Sequence, residues 1–445
     1  MRHTLIILLL ICTTLAKAQQ TPILLNNLTL IDGTGREEQP NVTLVIRNGR
    51  IARIVRGKIA VPRGATQIDM TGKFLMPTII DCHSHVGNLK GTTTTGDNYT
   101  AENVKRQLRK FQNFGVAAIL SMGTEQPIGI SIRDSSRAGL IPGATMYSAI
   151  YGFGVKDAMP PGFSHIYRPS TPEEADSMVR DLVPHHPDVI KMWVDDFYGQ
   201  FRHDQVMKPE IYAAIIKEAH ANGIRVAAHL FHLSDAHQLV AAGLDIMAHS
   251  IRDAEIDDSL LAQMKAKQIT YIPTLSLDEF AFAYGDDPDW INDPYFKTSL
   301  EPGVFDMITS PAYKEKTSKS SLASQEEQAL PIALTNLLKI YRAGVPIALG
   351  TDAGANPLRA QGFAEHMEMA LMARAGISTL EVIRIATQGG AHLLRIDADQ
   401  GTLEKGKKAD FIVLDKDPLV DIHNTLTISA VWKDGVRVSN GPINH

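Results

Sequence analysis

The sequence predicts an α/β chain in which a (β/α)8 TIM barrel carries a small β-sandwich domain formed from both chain termini. Three observations predict it. Apolar strand-like runs alternate with helix-period segments eight times through the middle of the chain. Both ends are rich in short alternating strands broken by glycine turns. The histidines and aspartates that stand out fall at the C-terminal ends of the strand-like runs, the face on which such barrels carry their chemistry.

The N-terminus comes first. Arg2 and His3 precede the apolar run Leu5 to Leu10, and Ala16-Lys17-Ala18 supplies the small-x-small pattern of a signal peptidase site, so residues 1–18 read as a signal peptide cleaved after Ala18. Ile11 before Cys12 is bulkier than lipoprotein processing accepts, and no later run reaches the roughly 20 apolar residues of a membrane-spanning helix. A periplasmic or secreted protein with no membrane partner is expected. Cys82 is then the only mature cysteine, so core burial and not an internal disulfide must stabilise the fold. With 445 residues, 44% of them hydrophobic, the chain can bury a large core, and a net charge of -5 argues against nucleic-acid binding.

Residues 19–75 carry the strands Leu28 to Ile31, Asn41 to Ile46 and Arg50 to Val55; residues 401–445 carry Phe411 to Leu414 and Ala430 to Trp432. Neither set is long enough for a good sheet alone, so the two are expected to join. In the barrel, residues 76–400, strands are expected at Thr78 to His83, Val116 to Gly123, Ala144 to Ile150, Asp188 to Val194, Arg225 to Leu230, Ile246 to Ile251, Thr270 to Leu277 and Pro346 to Ala353. Pro209 to Ala221, Ser234 to Ala242 and Asp257 to Lys267 read as amphipathic helices between them. Two long segments, Tyr151 to Ser170 and Asp278 to Ser321, read as loops on the catalytic face that shape the substrate site.

His83 and His85 end the first expected strand, His229 the fifth, His249 the sixth and Asp352 the eighth. Residues two apart on a strand share a face, so His83 and His85 can converge on one ion. Neutral imidazoles with a carboxylate suit a zinc-like cation. Lys191, on the fourth strand, is the odd member, because a protonated amine repels a cation and apolar flanks make its charge costly. It needs a modification or a partner such as Asp195 or Asp196; carbamylation would turn it into a long-armed carboxylate able to bridge two metals.

Taken in order, Pro77-Thr-Ile-Ile-Asp-Cys-His-Ser-His, Ile190-Lys191, Ala228-His229, Ala248-His249, Gly350-Thr-Asp352-Ala, Gly362-Phe-Ala-Glu-His-Met-Glu and the tail Gly401 to Leu414 resemble the amidohydrolase superfamily. The resemblance is strongest to its exported Xaa-Pro dipeptidase (prolidase-like) and imidazolonepropionase-related branch. It implies two divalent metal ions, zinc first among them. His83, His85 and Asp352 would hold one, His229 and His249 the other, and carbamylated Lys191 would bridge them. It further implies that hydroxide between the metals attacks a scissile carbonyl while Asp352 shuttles the proton to the leaving amine. The expected substrate is a small amide, a dipeptide or an N-acyl amino acid; a homo-oligomer is left open.

Relatives often place Tyr or His two residues after the strand-five ligand, where this chain has Phe231 followed by His232, so His232 becomes the candidate oxyanion donor. Arg168, Arg252 and Arg359 are the loop arginines placed to bind a substrate carboxylate, and His366 matches a family position that could contact substrate or a ligand. Two other readings stand beside this one: a mononuclear deaminase or cyclic amide/amidine hydrolase of the same superfamily, and a barrel that has lost catalysis and only binds.

Overall fold

The computed structural model describes residues 21–197 and 205–443; the expected signal segment lies outside the described residues. The terminal strands form one eight-stranded sheet, in the order Val436–Ser439, Ile428–Lys433, Phe411–Leu414, Phe74–Pro77, Ile23–Leu30, Gln39–Arg47 and Arg50–Arg56, with Thr66–Asp69 beside Ile23–Leu30. All eight strands belong to one hydrogen-bonded sheet, where a sandwich was expected. Phe74–Pro77 is the hub: it pairs parallel with Ile23–Leu30 and antiparallel with Phe411–Leu414, so both its edges are satisfied and the two chain ends become one ladder. Leu25, Leu44, Leu75, Phe411 and Trp432 share the core of this unit.

The central strands make two parallel sheets. One runs Thr145–Ser148, Val116–Ser121, Ile79–Ser84; the other runs Ile190–Trp193, Val226–His229, Ile246–Ala248, Thr270–Ile272. Single bridges join them, Phe153 with Met192 on one side, Tyr271 with Ile347 and Ser84 with Ala353 on the other. A continuous closed barrel, as expected, is therefore not formed by regular strands. The eighth segment shows why: Pro346 lacks an N–H, and beyond it a Cβ at Gly350 would lie 2.4 Å from Ile272 Cγ2 and 2.8 Å from His83 Cβ, so the chain squeezes between its neighbours. It still bonds to both, through Ala348 N to Tyr271 O at 3.1 Å and Cys82 N to Leu349 O at 2.8 Å.

The seventh strand ends five residues early. Pro273 cannot donate to the ladder, Thr274 takes a left-handed φ of 50°, and the chain enters the helix Leu275–Phe282 with its first N–H groups given to Glu368. Pro209–Ala221 forms the expected helix, and Leu233–Ala242 and Asp258–Ala266 differ from expectation by a residue or so. Asp257 caps the last of these by accepting from Leu260 N. The segment 278–321 is not an open loop: short helices Pro294–Ser299, Val304–Thr309 and Pro311–Ser318 surround an aromatic cluster of Phe280, Tyr284, Trp290, Phe296 and Phe363. Among the described residues no helix is long and apolar enough to cross a membrane.

Phe411 sits fully buried at the seam, stacked on Trp432 at 5.4 Å. Phe411→Ala is expected to destabilise the protein by about 3–5 kcal/mol in denaturant unfolding, the cost of a large core cavity. A loss below about 1 kcal/mol would show that the seam carries no such burden.

Candidate metal centre

Parallel strands carry their last residues to one rim, and burial there fixes the chemistry. His83 Nε2 lies 3.4 Å and His85 Nε2 2.9 Å from Asp352 Oδ1, and the ligand atoms of these three residues fall within 4.8 Å of one another. The other two histidines adjoin them: the His249 ring is 4.5 Å from that of His83 and 4.3 Å from that of His229. Asp352 and His249 both hold left-handed backbone, φ 57° and 79°, which side-chain-bearing residues adopt only where the surroundings impose it.

All four imidazoles are held in the neutral, metal-binding form. Burial pushes His83, His229 and His249 well below the ordinary histidine range and His85 down to about 4. Hydroxyls orient two of them: Thr124 Oγ1 lies 3.0 Å from His85 Nδ1, and Thr274 Oγ1 2.7 Å from His249 Nδ1. Sequence reasoning missed both threonines because it weighed only titratable groups, yet each stands just past a strand end, the signal that singled out the histidines. Behind the site Asp81 accepts from His83 N at 2.9 Å and from Thr351 Oγ1 at 2.7 Å, with Glu365 on the far side of Thr351. Burial raises both acids, and together they brace the ends of the first and eighth strands.

Lys191 is completely buried, and its Nζ has no hydrogen-bond partner among the described residues. It lies 5.5 Å from the centre of the Trp193 ring, and burial brings its pKa down to about 7. Neither expected carboxylate hydrogen-bonds to it: Asp195, which lies 3.5 Å from His229 Nε2, acts on the amine only through its charge, and Asp196 bonds to His232.

Several expected contacts are placed elsewhere. His232 does not border the central cavity; its Nε2 is 3.0 Å from Asp196 and its Nδ1 3.1 Å from Asp253, so both nitrogens serve carboxylates and the oxyanion role is corrected to a loop clamp. His366 is buried between Thr425 Oγ1 at 2.8 Å and Phe114 O at 3.0 Å, a packing role away from the cavity. Arg168 gives its guanidinium to the carbonyls of Val155, Met159 and Pro160, fastening the loop and not facing a substrate. Arg252 reaches the cavity wall, but it is buried against Asp278 at 3.1 Å and Glu326 at 3.7 Å and donates to Ser250 O. Arg359 borders the cavity and donates from Nη1 to Asp352 Oδ2.

The cavity above the histidines holds about 400 Å³. Met159, Pro160, Pro161 and Phe163 from the loop after the third strand form one wall; Trp193, Leu277 and Leu322 extend the apolar lining. The sequence profile of the Amidohydrolase family matches residues 74–438, most of the chain. The chain belongs to this family. As an amidohydrolase it is 25% identical to an ochratoxinase of Aspergillus niger over 93% of this chain and 85% of the relative. Its fold resembles a crystal structure of a putative prolidase from Bifidobacterium longum (TM-score 0.76, 25% identity, 95% and 96% of the two chains covered). It also resembles a Xaa-Pro dipeptidase solved with methionine in its active site (TM-score 0.75, 22% identity, 94% and 100% covered).

The clamp on His232 has a pH signature. Hydrogen bonding to Asp253 and then to Asp196 outweighs burial and raises His232 to about 9, above the unfolded value near 6.5. Its contribution is thus fully present below about pH 6.5 and lost as pH rises through about 9. His232→Gln is expected to lower Tm at pH 6 and to match the parent near pH 10; an equal gap at both pH values would contradict the clamp.

Proposed function

We propose that this amidohydrolase is a binuclear, metal-dependent enzyme that hydrolyses the C–N bond of a small amide, a dipeptide or an N-acyl amino acid. The observation that supports the proposal is Lys191, a buried amine with no hydrogen-bond partner among the described residues, whose charge acts on all four buried imidazoles. The residues fit the group: His83, His85 and Asp352 would hold one cation, His229 and His249 the second, and a carbamylated Lys191 both. A pKa near 7 leaves much of that amine unprotonated at neutral pH, the form that reacts with carbon dioxide, and the carboxylate so formed would relieve the missing anion. When bound, divalent cations would supply an activated water and polarise the scissile carbonyl.

The chain's own groups supply the rest. Asp352 has divided oxygens, Oδ1 toward His83 and His85 and Oδ2 toward Arg359, so its orientation is fixed from both sides. In this reading it takes the proton of the attacking water and hands it to the leaving nitrogen. The Met159–Phe163 wall, held by Arg168, sets apolar surface against the site, where charge interactions are stronger than in open water. We further propose that residues 1–18 direct export and are removed, and that 19–75 and 401–445 form one unit around the catalytic domain 76–400.

A second reading rests on one fact: His83, His85 and Asp352 are the single group of three ligands that meet closely among the described residues. That favours a mononuclear deaminase or cyclic amide hydrolase. Metal analysis separates the two, with two ions per chain expected here and one in the alternative.

Lys191→Ala tests the proposal. Hydrolysis of dipeptides and N-acyl amino acids is expected to fall by at least about a hundredfold, with metal content, and to recover partly with short carboxylic acids. A fully active, fully metallated variant would overturn it.

A further inference from the structure

The fourth and fifth strands pair in parallel with Trp193 opposite His229, so the chain just past Trp193 arrives at the rim beside that histidine. The residue two further on is Asp195. Its Oδ1 lies 3.5 Å from His229 Nε2, against 3.4 Å between Asp352 Oδ1 and His83 Nε2 in the first cluster. An N–H···O hydrogen bond spans about 2.7–3.2 Å, so the contact is too long to be one. Two atoms each about 2.1 Å from one tetrahedral cation stand about 3.4 Å apart, and both spacings suit a shared ion.

The Asp195 side chain is completely buried, and its other oxygen, Oδ2, has no hydrogen-bond partner among the described residues. A buried carboxylate is costly unless a cation answers it. Phe197 holds both members of the pair. Its N–H donates to Asp195 Oδ1 at 3.3 Å, and its ring stacks on that of His229 at 4.2 Å with 9° between the planes. The charge of Asp195 also acts on Lys191, the residue placed to bridge the two cations.

We propose that Asp195 is a ligand of the second cation, joining His229, His249 and the modified Lys191. The inference rests on the two-cation reading above and adds a donor which that reading lacks. Each cation then has two imidazoles, a carboxylate of its own and a share of the bridging group, with Asp195 standing to His229 as Asp352 stands to His83. Charge argues the same way. Of the groups that would touch two dications, the carbamate, Asp352 and a hydroxide answer three of the four positive charges, and Asp195 answers the fourth in a site where an uncompensated charge is costly.

Two variants of the holoenzyme test the inference. Asp195→Asn keeps an acceptor for Phe197 N and loses the charge. In a zinc-buffered solution the parent is expected to hold two ions by elemental analysis and Asp195→Asn one, its second ion bound at least about tenfold more weakly, since even the loss of an outer partner of a ligand costs that much. Asp195→Cys puts a thiol at the same place. Loaded with cobalt(II), it is expected to show a thiolate-to-cobalt charge-transfer band in the near ultraviolet that the parent lacks, a signature that a merely structural residue does not give. An Asn variant that binds both zinc ions as tightly as the parent, or a cobalt-loaded Cys variant without the band, would overturn the inference and leave the two-cation reading standing. A parent that binds a single ion removes that reading, and the band then decides: its presence upholds Asp195 as a metal ligand, and its absence overturns it.

Discussion

A completely buried lysine amine, with no hydrogen-bond partner among the described residues, is the constraint around which the site is organised. Burying an uncompensated ammonium is costly, and burial answers by driving the proton off. The same burial keeps His83, His85, His229 and His249 neutral, so the pocket offers several basic nitrogen lone pairs together with the Asp352 carboxylate. On the reading proposed above, cations and a carbamate on Lys191 complete that balance together, and neither is satisfactory without the other.

What surrounds the site serves to hold it still. The first and eighth segments are joined by backbone hydrogen bonds from Cys82 N to Leu349 O, Thr351 N to His83 O and His85 N to Ala353 O, and the Asp81–Thr351–Glu365 side-chain contacts stiffen that seam further. Left-handed backbone at His249 and Asp352 turns both side chains inward at the ends of short strands. Arginines do similar work one layer out: Arg168 fastens the Met159–Phe163 wall, Arg252 ties the segment after His249 to Asp278 and Glu326, and Arg359 grips Asp352.

The positions of the histidines were legible in the sequence because strand periodicity and strand ends are local facts: His83 and His85 are two apart on an apolar run, and Asp352 closes another. The joining of the chain ends into one sheet was half legible. Their strands could be read, but the pairing of Phe411–Leu414 with Phe74–Pro77 spans more than 330 residues and has no local signature. The arginines misled for a different reason. A cation in a loop reads as a ligand for an anion, while the structure gives Arg168 the carbonyls of its own loop, Arg359 the nearby Asp352, and Arg252 the carboxylates of Asp278 and Glu326 from later segments. His232 misled likewise, since Asp196 and Asp253 become its partners only once three strands are assembled side by side. The segment 278–321 looked like a loop because its helices are too short for a clear period, yet they build the aromatic cluster.

The central claim is that Lys191 is carbamylated and shared between two cations. Crystals of the protein grown with zinc and bicarbonate, measured at the zinc absorption edge, test it most directly. The account predicts two anomalous peaks, one at His83, His85 and Asp352 and one at His229 and His249, with a carboxylate on Lys191 Nζ reaching both. A single peak, with Lys191 carrying a bare amine, would contradict it.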